Sequence, residues 1–176
     1  MNRLTKKLDE LKKQNKKALV AYLVAGDPDL DSTLDIMHML VKSGVDVIEV
    51  GVPFTDPIAE GPIIQRAHDR AITKKTSLLD IYDLIAKFRV KDDETPIVLM
   101  GYLNSFIFFR HLIEENKNNS VDSILVVDIP GELNIEDYGI KNENINTISL
   151  ISPTTKEERI KSIANNSSGF IYYVTL

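Results

Sequence analysis

Short apolar runs that alternate with amphipathic segments constrain the fold of this chain more than any other feature. The runs are rich in Val, Ile and Leu, too continuous for surface helices, and bounded by turn-forming residues, as buried strands are. Because parallel strands need crossover connections, strands that alternate with helices predict a parallel α/β sheet. The predicted strands cover 18–25, 45–50, 96–100, 122–128, 145–151 and 169–174.

The segments between these runs carry helical periodicity. Near the start of the chain, leucines recur at spacings of four and three among lysines, which is typical of an amphipathic helix. Ser, Asp and Thr at the start of the later segments are residues that cap helices, and Pro suits a first turn. The predicted helices cover 3–14, 62–71, 104–115 and 132–141, with three more that start at Asp31 or Ser32, at Ser77 and at Thr155.

A doubly wound sheet and a closed barrel both fit this alternation. The Gly-x-Gly-x-x-Gly turn that binds dinucleotide phosphates is absent after the first strand, which disfavours the dinucleotide-binding version. An eight-stranded barrel needs roughly 200–250 residues, whereas the 176 residues here supply about six strands and stop on a strand at Leu176. Such an ending leaves a hydrophobic edge unpaired, so we expect a truncated chain.

Composition narrows the classes of function. The formal net charge of −5 argues against nucleic acid as the main partner, and the lysines of 6–17 are expected to form a solvated helix face. The chain has no cysteine, hence no disulfide or thiolate metal site. No secretory signal or membrane-spanning stretch is evident, so a cytoplasmic location is expected. No metal cluster is expected from the three histidines, which we place on helix surfaces: His38, His68 and His111.

The most informative stretch is 46–61, where charged side chains follow a buried strand. Glu49 lies inside the apolar run, where an unpaired carboxylate is costly to bury, and Asp56 and Glu60 lie on the proline-containing loop that follows. Carboxylates on a strand and on the loop beyond it are how α/β enzymes build active sites. From the residues alone, Glu49 fits a catalytic group or a buried salt bridge equally well.

Four segments resemble a known family. They are Glu49-Val-Gly-Val-Pro-Phe-Thr-Asp-Pro-Ile-Ala-Glu-Gly-Pro-Ile-Ile-Gln65, Gly26-Asp-Pro28, Met100-Gly-Tyr102 and Gly169-Phe-Ile-Tyr-Tyr173. In order and spacing they are similar to the α subunit of tryptophan synthase. The resemblance implies a (β/α)8 TIM barrel, with about six of its eight β/α units present in a single domain that covers 1–176.

The resemblance also implies a reaction. Members of this family are lyases of tryptophan biosynthesis that cleave indole-3-glycerol phosphate by a retro-aldol reaction into indole and glyceraldehyde 3-phosphate. They work in an α2β2 complex with a β subunit that carries pyridoxal phosphate, so no cofactor is expected in this chain. On the family pattern, the loops that bind the substrate phosphate are expected beyond Leu176.

The resemblance assigns two glutamates to catalysis. Glu49 matches the family's catalytic acid/base, and its apolar flanks should raise its pKa toward neutrality. Glu60 stands where the family usually has an Asp that accepts a hydrogen bond from the indole N–H. Because the extra methylene changes the reach of the carboxylate, either the loop compensates or the activity falls.

Other positions match the family's substrate pocket and partner contacts. Asp56 and Pro57 match a loop that touches the β subunit, although a rigid solvent loop is the alternative. Asp128 fits a role in the site or a structural hydrogen bond equally well. The pocket matches lie at or near the C-terminal ends of strands, and tyrosines are favoured among them because a buried hydroxyl needs a partner. They are Tyr22, Met100, Tyr102, Leu125, Val127, Ile151 and Tyr173.

Two alternatives to this lyase stay open. One is a different phosphate-binding barrel enzyme, an isomerase or epimerase, against which the segment 49–65 argues. The other is a non-catalytic partner that only activates a β subunit. This alternative stays open because Glu60 departs from the Asp that the family usually has at that position.

Overall fold

The computed structural model describes residues 2–116 and 120–175 of the chain. Strands and helices alternate along it, as the apolar pattern predicts. The strands are β1 (Val20–Val24), β2 (Val47–Gly51), β3 (Ile97–Gly101), β4 (Ser123–Val126), β5 (Asn146–Ile151) and β6 (Ile171–Tyr173). The helices are α1 (Arg3–Lys13), α2 (Leu30–Lys42), α3 (Pro62–Thr73), α4 (Leu78–Arg89), α5 (Leu103–Phe108), α6 (Arg110–Glu115) and α7 (Glu157–Asn166), with a 3-10 helix over Ile135–Tyr138.

The strands form one parallel sheet in the order β1-β2-β3-β4-β5-β6. Each strand therefore pairs with its neighbour along the chain, and the order never reverses. A doubly wound sheet has a point at which the strand order switches, whereas the strands of a (β/α)8 barrel follow each other in sequence. The sheet is therefore part of a (β/α)8 barrel, with six of its strands present, as predicted.

Alternation along each strand divides the apolar side chains between two faces. On the inner face, Val47, Val98, Leu125 and Ile148 pack into one cluster with Leu4 of α1. The outer face packs against helices α2 and α4, in a larger cluster that includes Met37, Ile48, Val50, Ile81, Ile85, Phe88, Leu99 and Ile124. Both faces of the central strands β2, β3 and β4 are thus covered, which is why these strands read as continuous apolar runs.

Helix α1 covers the N-terminal ends of the strands, where a buried carboxylate anchors it. Asp122, immediately before β4, accepts hydrogen bonds from the backbone N–H groups of Arg3 (3.2 Å) and Ile97 (2.9 Å). Its carboxylate also pairs with the guanidinium groups of Arg3 (3.3 Å) and Arg89 (3.0 Å). One side chain therefore joins α1, β3, β4 and α4.

Two predicted helices differ from the structure. The segment 104–115 is not one helix, because Phe109 leaves helical geometry (φ −106°, ψ 24°) and separates α5 from α6. In the segment 132–141, helical geometry is confined to one 3-10 turn. Gly139 ends that turn in a left-handed conformation (φ 79°), which glycine adopts without steric cost.

The first strand and the next helix cap also differ from the predictions. Strand β1 is shorter than 18–25 and mostly half-buried rather than fully buried, because in the described sheet it pairs with β2 alone. Helix α2 is capped by Asp29, which accepts a hydrogen bond from Ser32 N (2.7 Å), so the predicted cap at Asp31 or Ser32 is wrong. The Ser77 cap of α4 is confirmed. Within 2–116 and 120–175, no helix is long and apolar enough to cross a membrane.

Candidate active site

Strand β2 carries Glu49 on the inner face of the sheet. The residue is in register with Tyr22 of β1 and Val98 of β3, and only 3% of its surface is exposed. Among the described residues, its Oε1 atom has no hydrogen-bond partner, and its carboxylate takes part in no ion pair. The salt bridge that was the alternative to catalysis is therefore not formed within this part of the chain.

Burial changes the acidity of this carboxyl group. It raises the pKa of Glu49 from 4.5 to about 7, because the charged form loses its hydration and gains no cation in exchange. The predicted shift toward neutrality is confirmed. Near neutral pH the group is present in both protonation states, so it can donate a proton in one step and accept one in another.

Two tyrosines flank Glu49 on the inner face. The Tyr22 side chain lies over Gly51, where an added Cβ would come within 2.3 Å of the Tyr22 Oη atom. Tyr172 of β6 is in register with Leu150, whose side chain packs against the inner cluster. Burial, and then the charge of Glu49, raise the pKa of Tyr172. Tyr172 therefore lies on the same inner face of the sheet as Glu49.

Strand register places two of the predicted pocket residues on the outer face of the sheet. Ile151 and Tyr173 are in register with each other and alternate with the inward residues Leu150 and Tyr172. A step of one residue along a strand reverses the face, so both side chains point outward, and Tyr173 is 52% exposed. Two consecutive tyrosines match the family's pocket position on this strand equally well. Counting the alternation of faces along β6 would have identified Tyr172 as the inward one.

The other predicted apolar pocket residues lie together. Leu125 is fully buried in the inner cluster, and Met100 and Val127 pack against it. Met100 is also in register with Leu125 across β3 and β4. These side chains form an apolar wall near the C-terminal ends of the strands, suited to a flat aromatic ring.

The loop after β2 is held by Tyr102, which follows β3. The Tyr102 hydroxyl accepts a hydrogen bond from Ala59 N (2.9 Å) and donates one to Glu60 Oε2. The Phe54 ring stacks on Tyr102, with ring centroids 4.5 Å apart, and Gln65 Nε2 donates to the Glu60 carbonyl (2.8 Å). The Glu60 side chain is 7% exposed, so it is part of a buried network and not a solvent-facing loop carboxylate.

His68 is a functional candidate that the sequence reasoning missed. We predicted a helix-surface residue, but only 1% of His68 is exposed, and it contacts both the loop and β1. On α3 it is flanked by Ala67 and Ala71, whose burial marks this face of the helix as inward. The small residues at i−1 and i+3 are the signal that could have identified it.

The loop residues predicted to touch a partner separate into two environments. Asp56 is exposed, as a contact residue would be, whereas Pro57 is buried within the chain. The exposed apolar residue of the loop is Ile58, with 75% of its surface accessible. For Asp128 the structural alternative is observed, since its Oδ1 accepts a hydrogen bond from Leu103 N (2.8 Å) at the start of α5.

No group of three or more His, Cys, Asp or Glu side chains within the described ranges could hold a metal ion. His38 stacks on Phe88, with ring centroids 4.8 Å apart, and His111 is exposed on α6. Both histidines thus have structural or surface positions.

A sequential parallel sheet with a buried carboxyl group on its inner face, and a further carboxylate on the loop after the same strand, is typical of the (β/α)-barrel enzyme class. The sequence profile of a family described as tryptophan synthase alpha chain matches residues 8–176. The chain belongs to the tryptophan synthase alpha chain family.

Individual relatives agree with this assignment. The tryptophan synthase alpha chain of Acinetobacter baumannii is 44% identical over 180 residues, which cover 100% of this chain and 67% of the relative. That of Neisseria meningitidis serogroup B is 48% identical over 163 residues, which cover 91% of this chain and 62% of the relative. The chain thus spans about two thirds of the length of these relatives.

Solved structures show the same fold. The tryptophan synthase alpha subunit of Legionella pneumophila superposes with a TM-score of 0.89 at 40% identity, over 99% of this chain and 68% of the other. A structure from Pyrococcus furiosus, solved to explain mutual activation in the tryptophan synthase α2β2 complex, superposes with a TM-score of 0.82 at 39% identity. That match covers 90% of this chain and 66% of the other.

Proposed function

We propose that this chain carries out the retro-aldol cleavage of indole-3-glycerol phosphate to indole and glyceraldehyde 3-phosphate. The observation that carries the proposal is the Glu49 carboxyl group, buried on the inner face with a pKa near 7 and an unpartnered oxygen. The family assignment supplies the substrate class. Proton transfer to and from carbon is chemistry for which such a group is suited.

The reaction needs two proton transfers around one carbon–carbon bond. The protonated Glu49 carboxyl donates to C3 of the indole ring, which places positive charge on the ring nitrogen. The carboxylate then accepts the proton of the hydroxyl on the adjacent side-chain carbon. As that hydroxyl becomes the aldehyde carbonyl, the bond to C3 breaks and its electron pair restores the aromatic ring. Glu49 ends the cycle protonated, as it began.

Glu60 is assigned to the ring nitrogen in this proposal. Its carboxylate, held by the Tyr102 hydroxyl, accepts a hydrogen bond from the indole N–H and stabilises the developing positive charge. The wall of Met100, Leu125 and Val127 binds the ring itself. No cofactor of this chain enters these steps.

A β subunit that carries pyridoxal phosphate is the proposed partner, in an α2β2 complex. Two exposed apolar side chains support a contact on the loops that follow the strands. Ile58 follows β2 with 75% exposure, and Phe108 lies on α5, after β3, with 76% exposure. Exposed apolar side chains mark a protein contact when they are grouped, and these two follow neighbouring strands at the same end of the sheet. A cytoplasmic location stays a prediction.

Glu49→Gln is the variant that tests the proposed reaction. The amide keeps the shape of the side chain but neither donates nor accepts the proton in question, so we expect a loss of about 100- to 10,000-fold in kcat. Indole release from indole-3-glycerol phosphate is measured with and without a β subunit. Glu10→Gln, on the exposed side of α1, is the matched control and should keep parental turnover.

Near-normal turnover by Glu49→Gln would contradict the assignment of Glu49. Activation of a β subunit by a parent chain that releases no indole would instead support the non-catalytic alternative. Turnover of another sugar phosphate, with none of indole-3-glycerol phosphate, would favour the isomerase or epimerase.

A further inference from the structure

His68 makes a contact that fixes which of its nitrogens carries a proton. The ring is buried on α3, and its Nδ1 atom accepts a hydrogen bond from the backbone N–H of Phe54 (3.1 Å). An atom that accepts this bond has no hydrogen of its own. The neutral ring therefore carries its hydrogen on Nε2.

The Nε2–H group faces strand β1 and the loop after β2. It lies 3.4 Å from the Tyr22 hydroxyl and 3.8 Å from Glu60 Oε1. The other oxygen of Glu60 accepts the hydroxyl hydrogen of Tyr102. One carboxylate oxygen is thus hydrogen-bonded by Tyr102, and the other faces the N–H group of His68 at a distance that is longer than a hydrogen bond.

We propose that His68 is a positioning residue for Glu60: as the neutral Nε2–H tautomer it orients the Glu60 carboxylate and the Tyr22 hydroxyl toward the bound ring. The proposal rests on the proposed function and concerns how this chain accommodates Glu at position 60. Glu60 Oε1 lies 3.8 Å from Nε2 on α3, a distance at which the buried N–H group attracts the carboxylate electrostatically. Tyr102 alone would fix only one oxygen and leave the carboxylate free to rotate.

The charges around His68 are balanced in favour of the neutral ring. Burial lowers the pKa of His68, while the charges of Glu60 and Asp69 raise it by less. Tyr22, the remaining titratable group in contact, is itself uncharged because burial raises its pKa. A second proton would put Nδ1–H against the Phe54 N–H and break the loop contact.

Two variants separate the two nitrogens of His68. In His68→Asn the side-chain oxygen can still accept from Phe54 N–H, but nothing reaches Glu60. In His68→Gln the terminal amide reaches the position of Nε2 and can donate to Glu60, but the contact with Phe54 is lost. We expect His68→Asn to lose about 10-fold in kcat with little change in KM, and His68→Gln to retain most of kcat. His111→Asn, an exposed histidine, is the control.

The effect must also depend on Glu60. In a Glu60→Gln background, His68→Asn should cause no further loss of kcat, because the carboxylate that it positions is gone. Additive losses, or a kcat that falls in His68→Gln and is kept in His68→Asn, would overturn the proposal. The second pattern would show that anchoring Phe54 is the role of the residue.

A measurement without turnover keeps this test separate from that of the lyase reaction. Nitrogen-15 NMR of the labelled imidazole should show a neutral Nε2–H ring at about neutral pH, with a changed Nε2 shift in Glu60→Gln. A ring with its hydrogen on Nδ1, or an Nε2 chemical shift that is the same in the parent and in Glu60→Gln, would contradict the positioning role. Absence of indole release from the parent chain would contradict the proposed function and leave this NMR outcome unaffected.

Discussion

At the scale of single residues, the proposed chemistry depends on a carboxyl group that the fold makes hard to ionise. Glu49 has apolar neighbours along β2 and, among the described residues, no cation to offset its charge. Burial therefore costs stability whenever the group is ionised, and the same cost keeps the proton available for catalysis. The protonation of Glu49 therefore affects both the stability of the fold and the proposed reaction.

This coupling predicts a pH dependence of unfolding. The unfolded carboxyl titrates near 4.5 and the folded one near 7, so between these values the folded state holds a proton that the unfolded state has lost. Stability then falls as pH rises through this window, by about 3 kcal/mol from this group once pH exceeds 7. Glu49→Gln removes this titrating group. As pH rises through the window, the free energy of unfolding of the variant should therefore increase relative to that of the parent by this amount.

Urea unfolding of both proteins at about pH 5 and about pH 8 measures this difference. The control Glu10→Gln should follow the parent at both values. A parent and a Glu49→Gln variant that change in parallel would show that the Glu49 carboxyl keeps an ordinary pKa.

At the scale of elements, the close approach of β1 and β2 aligns the site. Gly51 lies at the end of β2, and the Tyr22 side chain occupies the space that a Cβ would fill. The absence of a side chain at position 51 lets the tyrosine ring lie across β2 beside Glu49. A glycine within a strand often marks such an approach.

Gly51→Ala should therefore disturb the site through Tyr22. The new methyl group would lie 2.3 Å from the Tyr22 Oη and 2.8 Å from its Cζ, so the ring must move. We expect a loss of about 1–3 kcal/mol in the free energy of unfolding, together with lower turnover. Replacement of Tyr22 by Leu removes the clashing atoms, so Gly51→Ala should cost less stability in a Tyr22→Leu background. Equal costs in both backgrounds would rule out this contact as the cause.

At the scale of the whole molecule, the two ends of the sheet have different tasks. The loops after β2 and β3 carry Glu60 and Tyr102, whereas Asp122 and Arg89 tie the strands to α1 and α4 at the other end. Burial lowers the pKa of Arg89 to about 10, which shows how costly its charge would be without Asp122. Barrels commonly separate catalysis and stability in this way.

Asp122→Asn should therefore reduce stability without changing the chemistry. It leaves two arginines without their buried counter-charge, which costs about 3–5 kcal/mol. Asp93→Asn removes an exposed partner of Arg3 and should cost less than about 1 kcal/mol. Thermal unfolding measures both costs, and kcat per folded molecule should equal that of the parent. A fall in kcat for Asp122→Asn in the folded protein would show that this end also shapes the site.

Much of the fold could be predicted from the sequence because the signals are local. Apolar runs and helix periodicity identified the six strands and most helices, and the carboxylate in an apolar strand marked Glu49 with a raised pKa. The failures occurred where local patterns are degenerate. A run of Phe and Ile did not show that the chain breaks at Phe109, and two consecutive tyrosines did not show which one points inward.

The sequence by itself determined the parallel α/β architecture and the unusual carboxylate of Glu49 in an apolar strand, since both follow from residue types at short spacings. The order of four matching segments determined the family. Only the tertiary structure decided that Tyr172 shares the inner face with Glu49, that Pro57 is buried, and that His68 lies beside both Tyr22 and Glu60. These are contacts between separate elements. They depend on strand register and on how α3 packs against β1, which residue spacing within one segment does not encode.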